Sequence, residues 1–277
     1  MGTGPVRPRE PGVCETGRPA PVSLPHEVRT HPEAGWYGSG QRVTLAVRAG
    51  PGAVRAALAE AAGAGPFFLL SVGDDGRDWL PAAALYSAGL GELIDATGAS
   101  LGVTEPRVAA ATVHLGYAAR LWSPVLHCAL RHAIVPDLTG LRAGTAPSLR
   151  LNLPEPGGWR VAGPAGQAAL AYRMVVLGHL EPLRAHLPVK IAAGLLHGNS
   201  AAAMTAALRL LAAAQPRLGP RARVMAQRLL ATGVLRDTGE LTGPGLEFIR
   251  RSCCLFYRVP GGGTCADCPL PPRSGRP

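Results

Sequence analysis

The chain has 277 residues, of which 47% are hydrophobic, 17% are charged and 5% are aromatic, and its formal net charge is +10. This length can bury a large core in one domain and leaves room for appended segments. The arginines are scattered and aromatic side chains are few, which argues against a nucleic-acid partner despite the positive charge. The apolar residues are mostly Ala, Leu and Val, a mixture that favours helices.

The first residues of the chain contain no apolar segment of the kind found in secretory signals, so we expect a cytoplasmic location. The best apolar stretches, Val175–Leu180 and Ile191–Leu196, are too short to span a bilayer, and we expect no membrane span. In a reducing cytoplasm, clustered cysteines point to metal binding or redox chemistry rather than to structural disulfides.

Regular structure is predicted to begin near residue 41. Residues 1–40 are rich in Pro and Gly and predict a flexible leader, whereas residues 41–249 predict a mainly helical body with a small β element. The expected helices are Val54–Ala62, Pro81–Thr97, Pro106–Val135, Gly166–Leu177, Val189–Ala214 and Pro220–Thr232. The expected strands are Arg42–Arg48, Pro66–Val72 and a hairpin of Ser148–Leu153 with Trp159–Ala162. The predicted fold class is mainly α with a few short strands, that is, α+β.

Two of these helices carry irregular features. Pro124 is expected to kink or divide the helix over Pro106–Val135. On the same helix, Arg120, His127 and Arg131 project together, which favours a solvated face over a ligand-binding face. In the helix over Val189–Ala214, the sequence LLHGN predicts a helix end or kink, and an interior polar role is favoured for His197 and Asn199 over contact with a ligand.

The chain lacks the motifs that bind nucleotides. No G-x-G-x-x-G follows a strand and no G-x-x-x-x-G-K-[ST] is present, nor are the H-E-x-x-H or G-x-S-x-G motifs of hydrolytic sites. If the protein has a redox function, its electrons are therefore expected to come from a separate donor protein.

The chemistry of the chain is concentrated near its C-terminus. The stretch CCLFYRVPGGGTCADC contains four of the six cysteines, Cys253, Cys254, Cys265 and Cys268. Four thiolates in one loop predict a metal site, since soft sulfur ligands select zinc or iron–sulfur clusters. A structural zinc site usually has two C-x2–4-C pairs, whereas this loop has one C-x-x-C and one adjacent pair. The spacing therefore favours a 2Fe–2S cluster over zinc, and both remain open.

The residues between the cysteine pairs suit such a site. The VPGGGT sequence permits unusual backbone conformations and could leave amide N–H groups free to approach sulfur. The C-x-x-C is expected to form a tight turn. Cys253 and Cys254 can both be ligands only if the backbone turns between them or if they bind different irons.

The C-terminal sequence RRSCCLFYRVPGGGTCADCPL resembles the signature of FhuF-like ferric-siderophore reductases, whose CC-x10-CxxC motif binds a 2Fe–2S cluster. Weaker similarity extends upstream, where LLHGN resembles a family segment ending in Gly-Asn. The resemblance implies that all four cysteines bind the cluster. It also implies that the protein is an oxidoreductase that gives one electron to a cytoplasmic ferric siderophore and releases ferrous iron.

Under this resemblance the reaction needs no catalytic residue beyond the cluster. Arg250, Arg251 and Arg258 flank the cysteines and are candidates for docking an anionic siderophore or an acidic donor such as a ferredoxin or flavoprotein, and Asn199 is a further candidate. The residues 250–277 are thus expected to form the cluster-binding segment. The alternative is a binding protein without enzymatic activity, in which the four cysteines hold a structural zinc ion.

Overall fold

The structure, a computed structural model, describes Met1 and residues 34–37, 44–145, 148–243 and 245–270. All of these except Met1 lie in one unit, Glu33–Pro277. The α-helices in these ranges are α1 (Pro51–Ala62), α2 (Ala82–Ala84), α3 (Leu90–Leu101), α4 (Pro106–His132), α5 (Gly163–Tyr172), α6 (Glu181–Ala185), α7 (Ala193–Ala214) and α8 (Gly219–Leu230). Two π-helical segments, Leu85–Gly89 and Arg173–Leu180, join α2 to α3 and α5 to α6.

The strands are short and form three small sheets. They are β1 (Ala34–Tyr37), β2 (Thr44–Arg48), β3 (Ser71–Val72), β4 (Leu80–Pro81), β5 (Ile134–Pro136), β6 (Arg142–Gly144), β7 (Arg150–Leu153), β8 (Gly158–Val161), β9 (Gly239–Thr242) and β10 (Glu247–Arg250). Within the described ranges, the strand orders are β1-β2-β8-β5, β3-β7-β6-β4 and β9-β10. The predicted mainly helical α+β class is confirmed.

The core is built around the contact between α4 and α7, the most extensive contact between any two elements. Small side chains allow the two helices to approach closely, and the buried alanines on this pair include Ala110, Ala111, Ala118, Ala201, Ala203 and Ala207. Trp122 of α4 is fully buried, and its indole N–H donates to Ser200 Oγ of α7 at 3.0 Å. Truncating such a tryptophan to Ala typically destabilises a protein by about 3–5 kcal/mol.

The two long helices are more regular than their sequences suggest. α4 continues through Pro124 without division, and the predicted solvated face is wrong at His127, which is buried. α7 also continues through His197 and Asn199, so the predicted helix end there is wrong. In both cases tertiary packing on all sides outweighs the local preference of a Pro or Gly residue.

The strand predictions were less successful. β7 and β8 do not pair with each other, because β7 joins β3 and β6 while β8 joins β2 and β5, so the predicted hairpin is wrong. The predicted strand over Pro66–Val72 begins with a 3-10 turn, Pro66–Phe68, and only Ser71–Val72 pairs as β3. β1 falls inside the predicted leader of residues 1–40, whose other residues, apart from Met1, lie outside the described ones.

Candidate iron–sulfur site

The cysteine segment directly follows the β9–β10 hairpin. Along β10 the side chains of Glu247 and Ile249 face outward while those of Phe248 and Arg250 are buried, as the two-residue period of a strand requires. Arg250 lies opposite Gly239 on β9, and its backbone N–H then donates to Asp267 O at 3.1 Å. The two ends of the cysteine segment are therefore held together by the backbone.

The two cysteine pairs meet across the loop. Cys254 Sγ lies 3.5 Å from Cys265 Sγ, although the two residues are eleven positions apart. Two thiolates bound tetrahedrally to one metal ion at about 2.3 Å lie about 3.8 Å apart, so this separation suits a shared metal ion. Cys254 is buried, whereas Cys253, Cys265 and Cys268 are partly exposed. One side of the cysteine group therefore reaches solvent.

The backbone turns sharply directly after the adjacent cysteines. Leu255 has a left-handed conformation with φ of 69°, and its N–H donates to Cys253 Sγ at 3.4 Å. The N–H of Phe256 is directed in turn at Cys254. Consecutive amides aimed at one region favour negative charge there. The amides that reach sulfur thus come from residues just after the cysteine pair, and the glycines serve a different purpose.

The glycines close the loop on itself. Gly261 has φ of 70°, and a Cβ added to Gly262 would lie only 2.8 Å from Phe256 O. Side chains at these positions would force the loop open. At its far end, the N–H of Cys268 donates to Cys265 O at 3.1 Å, which confirms the predicted tight turn of the C-x-x-C.

The electrostatics of the cysteines reflect this closeness. The hydrogen bond from Cys265 lowers the pKa of the Cys254 thiol, against the effect of its burial, and the positive charge of Arg250 contributes in the same direction. The pKa of Cys265 is raised, mainly because its proton is held by Cys254. Burial raises the pKa of Cys253, which the amide of Leu255 partly offsets.

The segment is anchored to the N-terminal part of α7. Ser252 Oγ donates to Gly194 O at 2.9 Å, and a Cβ added to Gly198 would lie 2.2 Å from that same Oγ. Next along the helix, Asn199 accepts a 2.5 Å hydrogen bond from Arg250 and donates to Ala111 O of α4 at 2.9 Å. The Gly-Asn pair that the sequence singled out is therefore where the cysteine segment contacts the helical core.

The predicted docking residues divide into two groups. Arg251 and Arg258 are exposed, with 61% and 43% of their side-chain surface accessible, and they form ion pairs with Asp237 and Glu105. Arg250 and Asn199 are buried and hydrogen-bonded to the protein, so neither presents its side chain at the surface. We correct their predicted docking role on this ground and retain only the two exposed arginines.

Sequence reasoning overlooked several polar residues around this site. Asp267 lies inside the C-x-x-C and carries the only carboxylate side chain after residue 250, a signal that the sequence offered. Glu181, which was not singled out, lies with Oε1 2.9 Å from His197 Nε2 and also pairs with Arg184. His114 of α4 is buried with no hydrogen-bond partner at Nδ1. These contacts join residues far apart in the sequence, which spacing alone does not reveal.

A cleft elsewhere in the molecule is too distant to share this site. It is lined by Arg48, Arg55 and Asp137, among others, and lies beyond the C-terminal end of α4. The cysteine segment contacts the opposite end of α4, through Arg258 and Glu105. The 27 residues of this helix extend over about 40 Å. This cleft and the cysteine segment therefore lie at opposite ends of α4.

The four cysteines supply the number and type of ligands that a 2Fe–2S cluster requires. Four cysteines with amide N–H groups directed at sulfur match the chemistry of 2Fe–2S ligation, and the distance between Cys254 Sγ and Cys265 Sγ fits. Among the described residues, no three His, Cys, Asp or Glu side chains are already gathered around one point that could hold a metal ion. Metal binding commonly brings ligands together. A close pair, Cys254 and Cys265, with Cys253 and Cys268 next in the same segment is therefore compatible with such a site.

Comparison with known families bears directly on this segment. Residues 250–270 match the FhuF 2Fe-2S C-terminal domain. The cofactor named by that family is a 2Fe–2S cluster, and Cys253, Cys254, Cys265 and Cys268 fit its CC-x10-CxxC motif. The match confirms the resemblance predicted for the C-terminal segment, while the weaker similarity upstream stays a prediction.

The remaining comparisons returned nothing. Neither the curated proteins nor the solved structures include a significant match to this chain. Within the described ranges, none of the helices combines the length and the apolar character needed to cross a lipid bilayer.

Proposed function

We propose that this protein is an iron–sulfur oxidoreductase that reduces ferric siderophores by one electron in the cytoplasm and so releases ferrous iron. The observation that carries the proposal is the match of residues 250–270 to the FhuF 2Fe-2S C-terminal domain. Ferrous iron binds such chelators far more weakly than ferric iron, so one electron is sufficient for release. The ligands would be Cys253, Cys254, Cys265 and Cys268.

Under this proposal, two regions of the chain have different roles. Residues 250–277 hold the cofactor, which when bound supplies a one-electron carrier. The body, residues 41–249, holds this segment in place and is the candidate region for siderophore binding. The buried side of the cysteine group, at Cys254, faces the body, while Cys253, Cys265 and Cys268 are partly exposed, which supports direct approach of a docked chelate.

Docking would use the exposed arginines beside the cysteines. Arg251 and Arg258 can attract an anionic siderophore or an acidic donor protein, although each is already paired with a carboxylate. The charge that they offer to a partner is therefore partly neutralised, and we expect shape and contact with the exposed cysteine edge to contribute to recognition. The absence of nucleotide-binding motifs supports a separate donor.

The decisive experiment is spectroscopy and metal analysis of protein purified without oxygen. We expect a brown protein with about two iron and two sulfide ions per chain, which bleaches on reduction and develops an electron paramagnetic resonance signal. Mixing the reduced protein with a ferric siderophore and a ferrous-specific dye should restore the colour and report released iron. A colourless protein with one zinc ion would favour the alternative, a binding protein with a structural zinc site.

The donor can be tested by its dependence on salt. If an acidic protein delivers the electron, its reduction of this protein should slow as ionic strength rises, because screening weakens electrostatic steering. Reversing the charge of Arg251 and Arg258 to Glu should reduce both the rate and its salt dependence. Reduction by NADPH alone, at a rate independent of salt, would contradict the separate donor.

A further inference from the structure

Arg250 occupies a position where the fold ordinarily places an apolar residue. Its side chain is on the buried face of β10 beside Phe248, and only 1% of its surface is exposed. No other Asp, Glu, Lys or Arg side chain in the described ranges is buried. Burying a charge is costly unless it is paired and hydrogen-bonded, so its partners decide what it does.

Those partners leave the guanidinium incompletely satisfied. Nη2 donates to Asn199 Oδ1 at 2.5 Å and to Leu195 O at 3.5 Å, and both acceptors are neutral. Nη1 lies 3.8 Å from Asp267 Oδ2, which is too long for a hydrogen bond, and Nε has no partner. Asp267 Oδ2 is also buried without a hydrogen-bond partner. The guanidinium therefore has one carboxylate at ion-pair distance but lacks a full set of hydrogen bonds.

This incompletely hydrogen-bonded charge lies beside the cysteine segment. Arg250 precedes Cys253 by three residues, and its backbone N–H donates to Asp267 O at 3.1 Å, inside the C-x-x-C. Asp267 is adjacent to Cys268, and its carboxylate carries the opposite charge. A buried cation and a mostly buried anion thus lie at the two ends of the same cysteine segment.

We propose that Arg250 is a positioning residue that holds the cysteine segment against α7 and raises the reduction potential of the cofactor, while Asp267 lowers it. The inference rests on the 2Fe–2S cofactor of the proposed function. Four thiolates give such a cofactor a net negative charge, and reduction adds one more. A nearby cation in a region of low dielectric constant stabilises the more negative, reduced form, and a nearby anion destabilises it.

The test is a redox titration of four variants of the loaded protein. Arg250→Met removes the charge but keeps the length of the side chain, Arg250→Lys keeps the charge, and Asp267→Asn removes the opposing charge. Arg251→Met is the matched control, because Arg251 is the neighbouring arginine but is exposed and paired with Asp237. Midpoint potentials are measured together with iron content and thermal stability.

The expected results differ in sign between the variants. Arg250→Met should disfavour the reduced form by about tenfold, which is a fall of 59 mV for one electron, and Asp267→Asn should shift the potential upward. Arg251→Met should shift it much less, because solvent screens its charge. Arg250→Lys should keep a potential close to that of the wild type while losing thermal stability, since lysine cannot keep the fork that contacts Leu195 and Asn199.

Three results would overturn the inference. Equal potentials for Arg250→Met and Arg251→Met would show that the buried charge has no special effect. A fall in potential for Asp267→Asn would contradict the assigned sign. An unchanged midpoint potential in Asp267→Asn would also reject the proposal. This measurement, together with that of Arg250→Lys, remains informative if Arg250→Met does not retain iron. A wild-type protein that binds no iron–sulfur cofactor would contradict the proposed function as well. If the wild type does bind the cofactor but the substitutions leave its midpoint potential unchanged, only this inference is contradicted.

Discussion

Two buried polar networks in this protein satisfy their hydrogen bonds in different ways. In the tyrosine–histidine network, Tyr117 and Tyr86 hydroxyls lie 2.6 Å apart, and Tyr86 Oη lies 2.8 Å from His179 Nδ1. His179 Nε2 lies 3.0 Å from Leu138 O, and since a carbonyl can only accept, Nε2 must carry the proton. Tyr86 therefore donates to His179 and accepts from Tyr117. Every ring and hydroxyl group is neutral and partnered.

The arginine network, formed by Arg250, Asn199 and Asp267, is charged and incomplete. Its guanidinium has an unpartnered Nε and a carboxylate at 3.8 Å. The tyrosine–histidine network links the two π-helical segments to α4, and each of its hydroxyl groups and ring nitrogens has a partner. A closed neutral network stabilises the fold, whereas an incompletely bonded charged network next to potential metal ligands indicates a functional role.

The largest expected effect comes from removing a ligand beside the arginine network. Cys265→Ala should abolish 2Fe–2S binding, because Cys265 is one of the two cysteines whose sulfur atoms lie 3.5 Å apart. Cys128→Ala is the matched control, since Cys128 is buried within α4 and away from the C-terminal segment. Iron and sulfide analysis of both variants checks the prediction. Full iron content in Cys265→Ala would exclude that residue as an essential ligand.

The contact between the cysteine segment and α7 can be broken at Gly198. Gly198→Ala places a Cβ within 2.2 Å of Ser252 Oγ, so we expect lower iron content and faster proteolysis of the C-terminal segment, despite the better helix propensity of Ala. Gly194→Ala is the control on the same helix, because a Cβ there meets nothing within 4 Å.

The same contact allows a rescue experiment. Ser252→Ala removes the Oγ and leaves a Cβ 3.6 Å from the added methyl group, so it should restore iron content in the Gly198→Ala background. If the double variant is no better than Gly198→Ala alone, the close approach of Ser252 is not the reason for glycine at this position.

The neutral network should lose stability in acid. Burial lowers the pKa of His179 to about 4, below its ordinary value of 6.5, so the unfolded chain binds the proton more readily. The free energy of unfolding should therefore be unaffected by His179 above about pH 6.5 and should fall by up to about 3 kcal/mol as the pH drops towards 4. Burial also lowers the pKa of His127 to about 4, which adds to the fall.

Urea unfolding of the wild type and of His179→Gln at pH 7 and pH 4.5 isolates this contribution. The variant should be less stable at both pH values but should show the smaller difference between them. The comparison between variants cancels any effect of acid on the cofactor. Identical pH dependence in the two proteins would contradict a neutral, buried His179.

The smallest expected effect is the loss of a single hydroxyl from the neutral network. Tyr86→Phe leaves His179 Nδ1 and Tyr117 Oη without their shared partner, so the free energy of unfolding should fall by about 1–3 kcal/mol. The midpoint potential should not change. Tyr257→Phe at the partly exposed cysteine loop is the control, with an expected change of about 0.5 kcal/mol or less. A changed midpoint potential in Tyr86→Phe would contradict this and would show that the two networks influence each other.

Sequence reasoning was most successful where the signal is local. The helices around Val54–Ala62, Pro106–Val135 and Val189–Ala214 are present with shifted ends, because apolar repeats of 3.6 residues report on one element at a time. The cysteine spacing identified the family of the C-terminal segment for the same reason. The partner of a strand, in contrast, is chosen by contacts between distant residues, and the predicted pairing of β7 with β8 was wrong.

By itself the sequence determined the helical composition, the cysteine quartet and the tight turn between Cys265 and Cys268. Only the tertiary structure decided which of two adjacent arginines carries a buried charge. Arg250 ends the unpredicted strand β10 on its inward face, so it meets Asn199, whereas Arg251 follows on the outward side and pairs with Asp237 in solvent. The two residues are chemically identical, and the pleat of the strand together with the nearby helix α7 gives them different electrostatic environments.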